Sequence, residues 1–178
     1  MSIFEFPLSL SDEKVSLRPL REEDFEDLYL VASDPLIWEQ HPNRERYQKP
    51  VFETYFKGAM ESKMAFLVSD KNAGEIIGCS RFYDFNPEKS TVCIGYTFLS
   101  RSCWGKSFNR SLKTVMLNHA FQFVDSVIFH VGNKNMRSQK AMEKLGAINS
   151  GEEEMSYYGE AAHTNIVYVI HKGDWRVV

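Results

Sequence analysis

The sequence predicts a single α+β domain over residues 1–178, with its core at about residues 14–172. Three observations predict it. The runs MAFLVSD, EIIGCSRFYDF and STVCIGYTFL are rich in Val, Ile, Phe and Tyr and are separated by the turn signals DKNAG and NPEK. Strands joined by such short turns form an antiparallel meander. Next, Phe108, Leu112, Val115, Met116, His119, Ala120 and Phe123 fall on one helical stripe over four turns. The chain then returns to a short apolar strand, a helix and two more strands, with no linker, internal repeat or low-complexity segment.

Before the meander, KVSLRPL (Lys14 to Leu20) alternates apolar and polar residues and predicts a short strand. REEDFEDLYLVASDP places Phe25, Leu28, Tyr29 and Ala32 on one helical face, with acids in the first turn where the helix dipole favours them. Pro35 ends that helix. IWEQHPNRERYQKP has two prolines and no clean period, so it predicts a loop or broken helix; VFETYFKGAMES then sets Phe52, Tyr55, Phe56 and Ala59 at helical spacing. Beyond the long helix, SVIFHV is nearly all apolar, as in a strand buried on both faces. NMRSQKAMEKLGA predicts a helix with Met136, Ala141, Met142 and Leu145 inward and Gly146 at its end. Strands from Asn149 to Tyr157 and from Thr164 to His171 flank GEAAH as a hairpin.

A chain of this length buries a core without disulfide or metal staples. Hydrophobic residues at 43% and charged residues at 25% exclude a disordered or fibrous class. The net charge of -3, with Lys and Arg scattered, argues against a nucleic acid partner, which would require concentrated positive charge. Cys79, Cys93 and Cys103 show no CxxC spacing and no nearby His, so no metal is expected. An odd thiol count suits a reducing, cytoplasmic compartment. MSIFEFPLSLSDEK lacks a leader's basic start and apolar segment, and no run approaches the ~20 apolar residues of a membrane span, so no membrane association is expected.

Between the third meander strand and the long helix lies RSCWGKSFNRSLK, Arg101 to Lys113. A helix amino terminus has N–H groups without partners and a partial positive charge, so it stabilises an anion that can come close. Gly105 and Ser107 are small enough to allow that approach, Lys106 supplies a charge-assisted contact, and Trp104 acts as an apolar brace. The loop is neither GxGxxG nor GxxxxGKS, and a strand-to-helix turn that binds nothing satisfies the same residues.

Over nearly the whole chain, this order of elements resembles the GNAT acetyltransferase family, and the local text resembles its RimJ/RimL-like branch. IGYTFLSRSCWGKSFNRSLK is similar to that branch's stretch ending in W-G-x-G-[YF], and VGNKNMRSQKAMEKLGA to its N-x-x-S followed by E-K-x-G-[FA]. WEQHP, Trp38 to Pro42, is similar to a sequence before the second helix in some members. The resemblance implies αβα layers around a mixed, mostly antiparallel central sheet, with acetyl-CoA as cosubstrate. It implies that Trp104, Gly105, Lys106, Ser107, Phe108 and Asn109 wrap the CoA pyrophosphate, and that Tyr96, Thr97, Phe98 and Leu99 pair with the pantetheine arm. In the usual R/Q-x-x-G-x-G/A form, glycine stands at Ser107 and glycine or alanine at Asn109; both positions depart here.

Acetyl transfer to an amine requires a neutral amine, a stabilised oxyanion and a proton for the departing thiolate. The resemblance assigns the oxyanion to a backbone N–H near Phe98 or Leu99, where the strand splays from its neighbour. Many members place a tyrosine seven residues after the helix-starting asparagine; from Asn135 that position is Met142. Ser138 is then the catalytic candidate for donating to the thiolate, directly or through water, although a hydroxyl bonded within its own helical turn explains the same serine. Asn135 caps the helix and is placed to touch the pantetheine arm. Glu39, the second catalytic candidate, and His41 are placed to bind or deprotonate the amine; Glu160 and His163 sit in the hairpin that would rim its pocket. Glu152, Glu153 and Glu154 read as a solvated strand end, His119 and His130 as core histidines, and Cys103 as a structural thiol. The expected activity is N-acetylation of a primary amine, favouring a protein or peptide N-terminal α-amine, by a monomer or homodimer. The alternatives are a small amine such as a polyamine, amino acid or aminoglycoside, or a catalytically weak CoA-binding or interaction module.

Overall fold

A computed structural model describes residues 3–176. Two-residue β1 (Leu10–Ser11) leads into β2 (Val15–Pro19), in which Val15 and Leu17 are buried and Ser16 and Arg18 half-buried. α1 (Phe25–Ala32) follows a 3-10 turn. The buried Asp24 at that turn accepts from the Arg21 N–H at 2.8 Å and from both Arg18 guanidinium nitrogens at 2.6 and 2.8 Å, tying the helix start to β2. The proline-containing stretch breaks into two 3-10 turns, Pro35–Ile37 and Arg44–Tyr47. α2 (Lys49–Ser62) starts earlier than the apolar pattern predicts, because Pro50 suits a first helical turn.

β3 (Ala65–Asp70), β4 (Ile76–Asn86) and β5 (Thr91–Leu99) form the expected antiparallel meander. Then come α3 (Phe108–Ala120), β6 (Ser126–Gly132), α4 (Met136–Leu145), and the hairpin of β7 (Ile148–Ser156) and β8 (Ala162–His171). The eight strands of the described residues join one sheet in the order β1-β2-β3-β4-β5-β6-β8-β7. Only β5 and β6 run parallel; the other neighbours are antiparallel. One face packs Val15, Phe66, Phe82 and Ile94 against Leu112 and Met116 of α3. The other packs Leu67, Cys79 and Phe98 against Leu28, Phe52 and Phe56 of α1 and α2, so the sheet lies between two helical layers. No helix among the described residues is long and apolar enough to cross a membrane.

Two expectations need correction. β6 is not buried on both faces: Val127, Phe129 and Val131 are buried, but Ile128 and His130 are half-buried. The α1/α2 layer packs on β3, β4 and β5 and includes no residue of β6, which leaves that face uncovered by a helix. Met136, expected inward, is 52% exposed because it is the first residue of α4, at the helix's open end.

What positions the site is how β5 ends its pairing with β6. The parallel ladder consists of Thr91↔Ser126, Val92↔Val127 and Cys93↔Ile128, and then stops. β5 continues beside β4 as far as Leu99, while β6 continues beside β8 as far as Gly132. The β4 side of this arrangement is close-packed at Gly78, where an added Cβ would lie 2.0 Å from the Phe98 carbonyl oxygen. Gly78→Ala is therefore expected to lower stability by about 1–3 kcal/mol, read as a reduced urea midpoint with an unchanged m-value.

Candidate active site

The parted strands enclose a cleft of about 730 Å³, the size of a cofactor or drug-like ligand site. Its walls include β5 from Ile94 to Leu99, β6 from Phe129 to Gly132, the amino-terminal half of α3 and the length of α4. Along β5 the register with β4 jumps between Gly95↔Arg81 and Phe98↔Cys79, so Tyr96 and Thr97 together oppose Ser80 in a β-bulge. Tyr96 has φ +51°, a left-handed conformation that side chains disfavour. Two contacts hold it: the Tyr55 hydroxyl donates to the Tyr96 carbonyl at 2.5 Å, and the Arg81 guanidinium lies 3.9 Å from the centre of the Tyr96 ring. The irregular backbone is thus at Tyr96 and Thr97, not at Phe98 or Leu99, which stay in register with Cys79 and Gly78.

The loop after β5 is braced by Trp104. Its Nε1–H donates to the Leu99 carbonyl at 3.1 Å, and the Arg137 guanidinium stacks 3.8 Å from its ring centre. Gly105 (φ +73°) and Ser107 (φ +66°) both turn left-handed to bring the chain into α3. Ser111 N–H to Ser107 carbonyl is the first bond of the helix, so the N–H groups before it have no helical acceptor. Of the loop residues expected to wrap a pyrophosphate, Trp104, Gly105, Ser107 and Asn109 line the cleft; Lys106 and Phe108 do not. Lys106 is exposed and its carbonyl accepts from Lys14 Nζ at 2.6 Å. Phe108 starts the core-facing stripe of α3 and packs against the core beneath Lys14.

On α4, the Asn135 side chain accepts from the Ser138 N–H at 3.2 Å, so the asparagine of N-x-x-S caps the helix and also lines the cleft. Ser138 is half-buried beside it, with its hydroxyl bonded to no group among the described residues. Met142 contributes a buried thioether to the same wall. Arg137 staples α4 to the loop before α2: its guanidinium donates to the Ile37 carbonyl at 3.0 Å and its N–H to Gln40 Oε1 at 3.0 Å. The same guanidinium faces Glu39 at 3.4 Å. Glu39 is thereby held at the rim, its side chain 49% exposed, and is not part of the cleft wall.

The cleft wall also holds aromatic side chains, Trp38, His41, Tyr96 and Tyr157. Burial, with Arg46 and His163 nearby, pushes the His41 pKa well below its ordinary value, so the ring is neutral, and its Nε2 faces the Arg46 guanidinium at 3.3 Å. Arg46 itself is buried, ion-paired to Glu160 at 2.7 Å and ringed by Tyr55, Trp38 and Tyr157 at 5.1, 5.5 and 5.5 Å. Glu160 therefore locks the hairpin to the loop before α2. His130, expected in the core, lines the cleft, with Nδ1 2.9 Å from the Tyr83 hydroxyl. His119 lies elsewhere, with its Nε2 bonded to the Glu5 carbonyl. Glu152, Glu153 and Glu154 are exposed on the edge strand β7, as expected.

Arg110, Arg137, Lys140 and Lys144 line the cleft without having stood out in the sequence, and so does Lys113. It is buried, its Nζ donates to Thr97 Oγ1 at 2.6 Å, and burial pushes its pKa down to about 7. The available signal was its phase: Lys113, Met116, Leu117 and Ala120 follow the i, i+3, i+4, i+7 rule, and all four are buried. The cleft wall carries five basic side chains, Arg110, Lys113, Arg137, Lys140 and Lys144, and no Asp or Glu among the described residues.

The family model described as "Acetyltransferase (GNAT) domain" matches residues 14–148. No curated protein sequence matches the chain. A GCN5-related N-acetyltransferase from Brucella melitensis superposes with a TM-score of 0.82 at 16% identity, covering 98% of this chain and 84% of that one. A ribosomal-protein-S5-alanine acetyltransferase from Vibrio fischeri superposes with a TM-score of 0.69 at 20% identity, covering 96% and 100%. A spermidine N-acetyltransferase from Vibrio cholerae, in complex with CoA and spermine, gives 0.69 at 15% identity, covering 92% and 98%. At these identities the likeness is one of fold.

Two substitutions test this local architecture. Ser107→Gly relieves a left-handed serine that makes no cap, and is expected to raise stability by up to about 1 kcal/mol, measured by thermal melting. Arg46→Ala strands the Glu160 carboxylate and is expected to cost about 3–5 kcal/mol; adding Glu160→Gln should recover part of that loss in the same measurement.

Proposed function

Since the chain belongs to the acetyltransferase (GNAT) family, we propose that its cleft binds acetyl-CoA and that the enzyme moves the acetyl group to the α-amine of a protein or peptide amino terminus. The observation that carries this is the sign of the cleft: five basic side chains and no carboxylate in the described wall, in a chain of net charge -3. Such a wall suits a ligand whose charge resides on phosphates. The free N–H groups at the start of α3, approached over Gly105 and Ser107, take the pyrophosphate, with Asn109 and Arg110 beside it. Beyond Cys93, β5 has no registered partner on β6, so the peptide groups that Tyr96 and Thr97 turn toward the cleft are offered to the pantetheine amides and to the carbonyl oxygen that becomes an oxyanion, apart from the Tyr96 carbonyl, which Tyr55 occupies. Phe98 and Leu99 extend that wall, and Asn135 faces the arm from α4. The Ser138 hydroxyl hydrogen-bonds the sulfur, directly or through one water. The scheme needs no metal.

Charge also favours the acceptor. An α-amine has a reference pKa near ~8 and a lysine amine near ~10.4, so an α-amine sheds its proton with little help. That fits a cleft without a carboxylate base in its described wall. A polyamine, with several ammonium groups, would want carboxylates there. The S5-alanine and spermidine enzymes superpose equally well, at 0.69 each, so the likeness of fold does not separate the two acceptor classes. Glu39, at the rim, is the candidate to meet the incoming ammonium before it enters.

Acetyl-CoA at 100-fold over its dissociation constant should add about 2.7 kcal/mol of stability; an unmoved melting temperature at saturation would overturn the cofactor assignment. In a thiol-release assay, short peptides with free amino termini are expected to turn over. Release with spermidine or an aminoglycoside alone would reassign the acceptor. Ser138→Ala is expected to slow release while keeping acetyl-CoA affinity, and an unchanged rate would remove Ser138 from the mechanism.

A further inference from the structure

Lys113 is only 3% exposed, yet it stands in the gap where β5 and β6 have parted. Its Nζ bridges the two strands, 2.6 Å from Thr97 Oγ1 on β5 and 5.7 Å from the Phe129 ring centre on β6. An ammonium has three donors. Thr97 takes one, and no other acceptor among the described residues takes the rest. Thr97 Oγ1 is itself 2.8 Å from Ser80 Oγ on β4. The titratable groups sharing the cleft are Tyr96 on β5, His130 on β6, and Cys103, Tyr157 and His41 around it, together with the cations on α3 and α4. None is a carboxylate, so Lys113 has no counter-ion in that wall. Leucine or methionine would continue the buried stripe of Met116, Leu117 and Ala120 at far less desolvation cost. A lysine here carries a burden that packing does not explain.

On the premise that the cleft takes acetyl-CoA, we propose that Lys113 is the general acid of the transfer, giving its proton to the CoA sulfur as the thioester breaks. The acceptor amine's lone pair forms the C–N bond while the carbonyl pair moves to oxygen. Collapse restores C=O and breaks C–S, the pair leaving on sulfur. The Lys113 ammonium delivers a proton to that thiolate, giving the CoA thiol and a neutral lysine. The proton lost by the acceptor nitrogen passes to solvent, from which Lys113 is reprotonated. The position suits the role: Lys113 is one hydrogen bond from Thr97, and Thr97 adjoins Tyr96 at the bulge, where the proposed binding mode would set the acetyl carbonyl and, one bond from it, the sulfur.

The acidity suits it as well. Burial sets the Lys113 pKa at about 7, whereas a thiol's reference value is near ~8.5, so the transfer runs downhill. A serine hydroxyl does not become deprotonated near neutrality; Ser138 orients the sulfur but cannot be the proton's source. Met142 has no proton to give.

Hydroxylamine is the probe acceptor, because it is already unprotonated near neutral pH and small enough to need no acceptor pocket. CoA release is followed from about pH 6 to about pH 9, across the range where a group of this acidity titrates. A general acid works while protonated, so the wild-type kcat should fall as pH rises through about 7. Lys113→Met is expected to be slower by about 10²–10⁴-fold and to lack that break. Lys113→Arg, charged but unable to release a proton at these pH values, should stay slow. Thr97→Val removes an acceptor that favours the ammonium, so the break should move to lower pH. The acetyl-CoA melting shift is measured on every variant. Its absence in the wild type would refute the cofactor assignment itself, whereas its retention with a lost rate isolates the proton step. Lys113 is excluded as the acid if the Met variant keeps the wild-type rate, if the Arg variant restores it, if Thr97→Val leaves the break in place, or if a wild type that binds acetyl-CoA never turns over hydroxylamine.

Discussion

β5 is held between neighbours that lead in different directions. It follows β4 to Leu99, while β6 stays with β8 as far as Gly132, and the parallel pairing between them ends after three residue pairs. Backbone groups left inside a protein without partners are costly, and a sheet normally leaves none. Here the sheet is interrupted at its centre rather than at an edge, so the unmet groups face an enclosed gap instead of bulk water. A ligand with amide groups of its own can complete that ladder. The bulge at Tyr96 and Thr97 belongs to the same constraint, because the left-handed Tyr96 has to be supported from outside the strand. Tyr55, whose burial keeps its phenol protonated and donating, grips the Tyr96 carbonyl from α2, and Arg81 supports the ring from β4.

The charges are sorted with respect to this gap. Acidic side chains sit on the first turns of α1 and on the edge strand β7, while the cleft wall draws its cations from α3 and α4. Two further buried cations stand nearby in different states. Arg46 has the Glu160 carboxylate and three aromatic rings around it. Among the described residues Arg81 has no carboxylate partner and its Nε has no acceptor; its charge is met by the faces of Tyr55 and Tyr96 and by the Tyr55 carbonyl. The bulge is thus flanked by two basic side chains, Arg81 against Tyr96 and Lys113 against Thr97.

What depends on local chain chemistry was legible in the sequence. Alternation marked β2, turn residues marked the meander, and Asn135 and Gly146 marked the two ends of α4, because each of these signals acts within a few residues. The loop from Trp104 to Asn109 was found by its small residues before a helix, though not which of its side chains turn inward: Lys106 and Phe108 share the loop but not the cleft. Residues whose role arises from distant contacts were not legible. Arg46 and Glu160 are 114 positions apart, Tyr55 and Tyr96 are 41 apart, and nothing near any of them in the chain announces the partner. Lys113 reads as an ordinary polar helix residue until two strands are known to part above it.

The cysteines take on a different meaning beside such a cleft. A CoA-dependent acetyltransferase liberates a thiol at every turnover, and in the presence of oxidants that thiol becomes a disulfide able to trap an accessible protein cysteine. Exchange requires a thiolate on the protein side. Cys79, Cys93 and Cys103 are all buried, and burial raises the pKa of each, to about 12 for Cys93. Even Cys103, which contributes to the cleft wall, presents a protonated sulfur to whatever lies there. None of the three therefore offers the thiolate that mixed-disulfide formation requires.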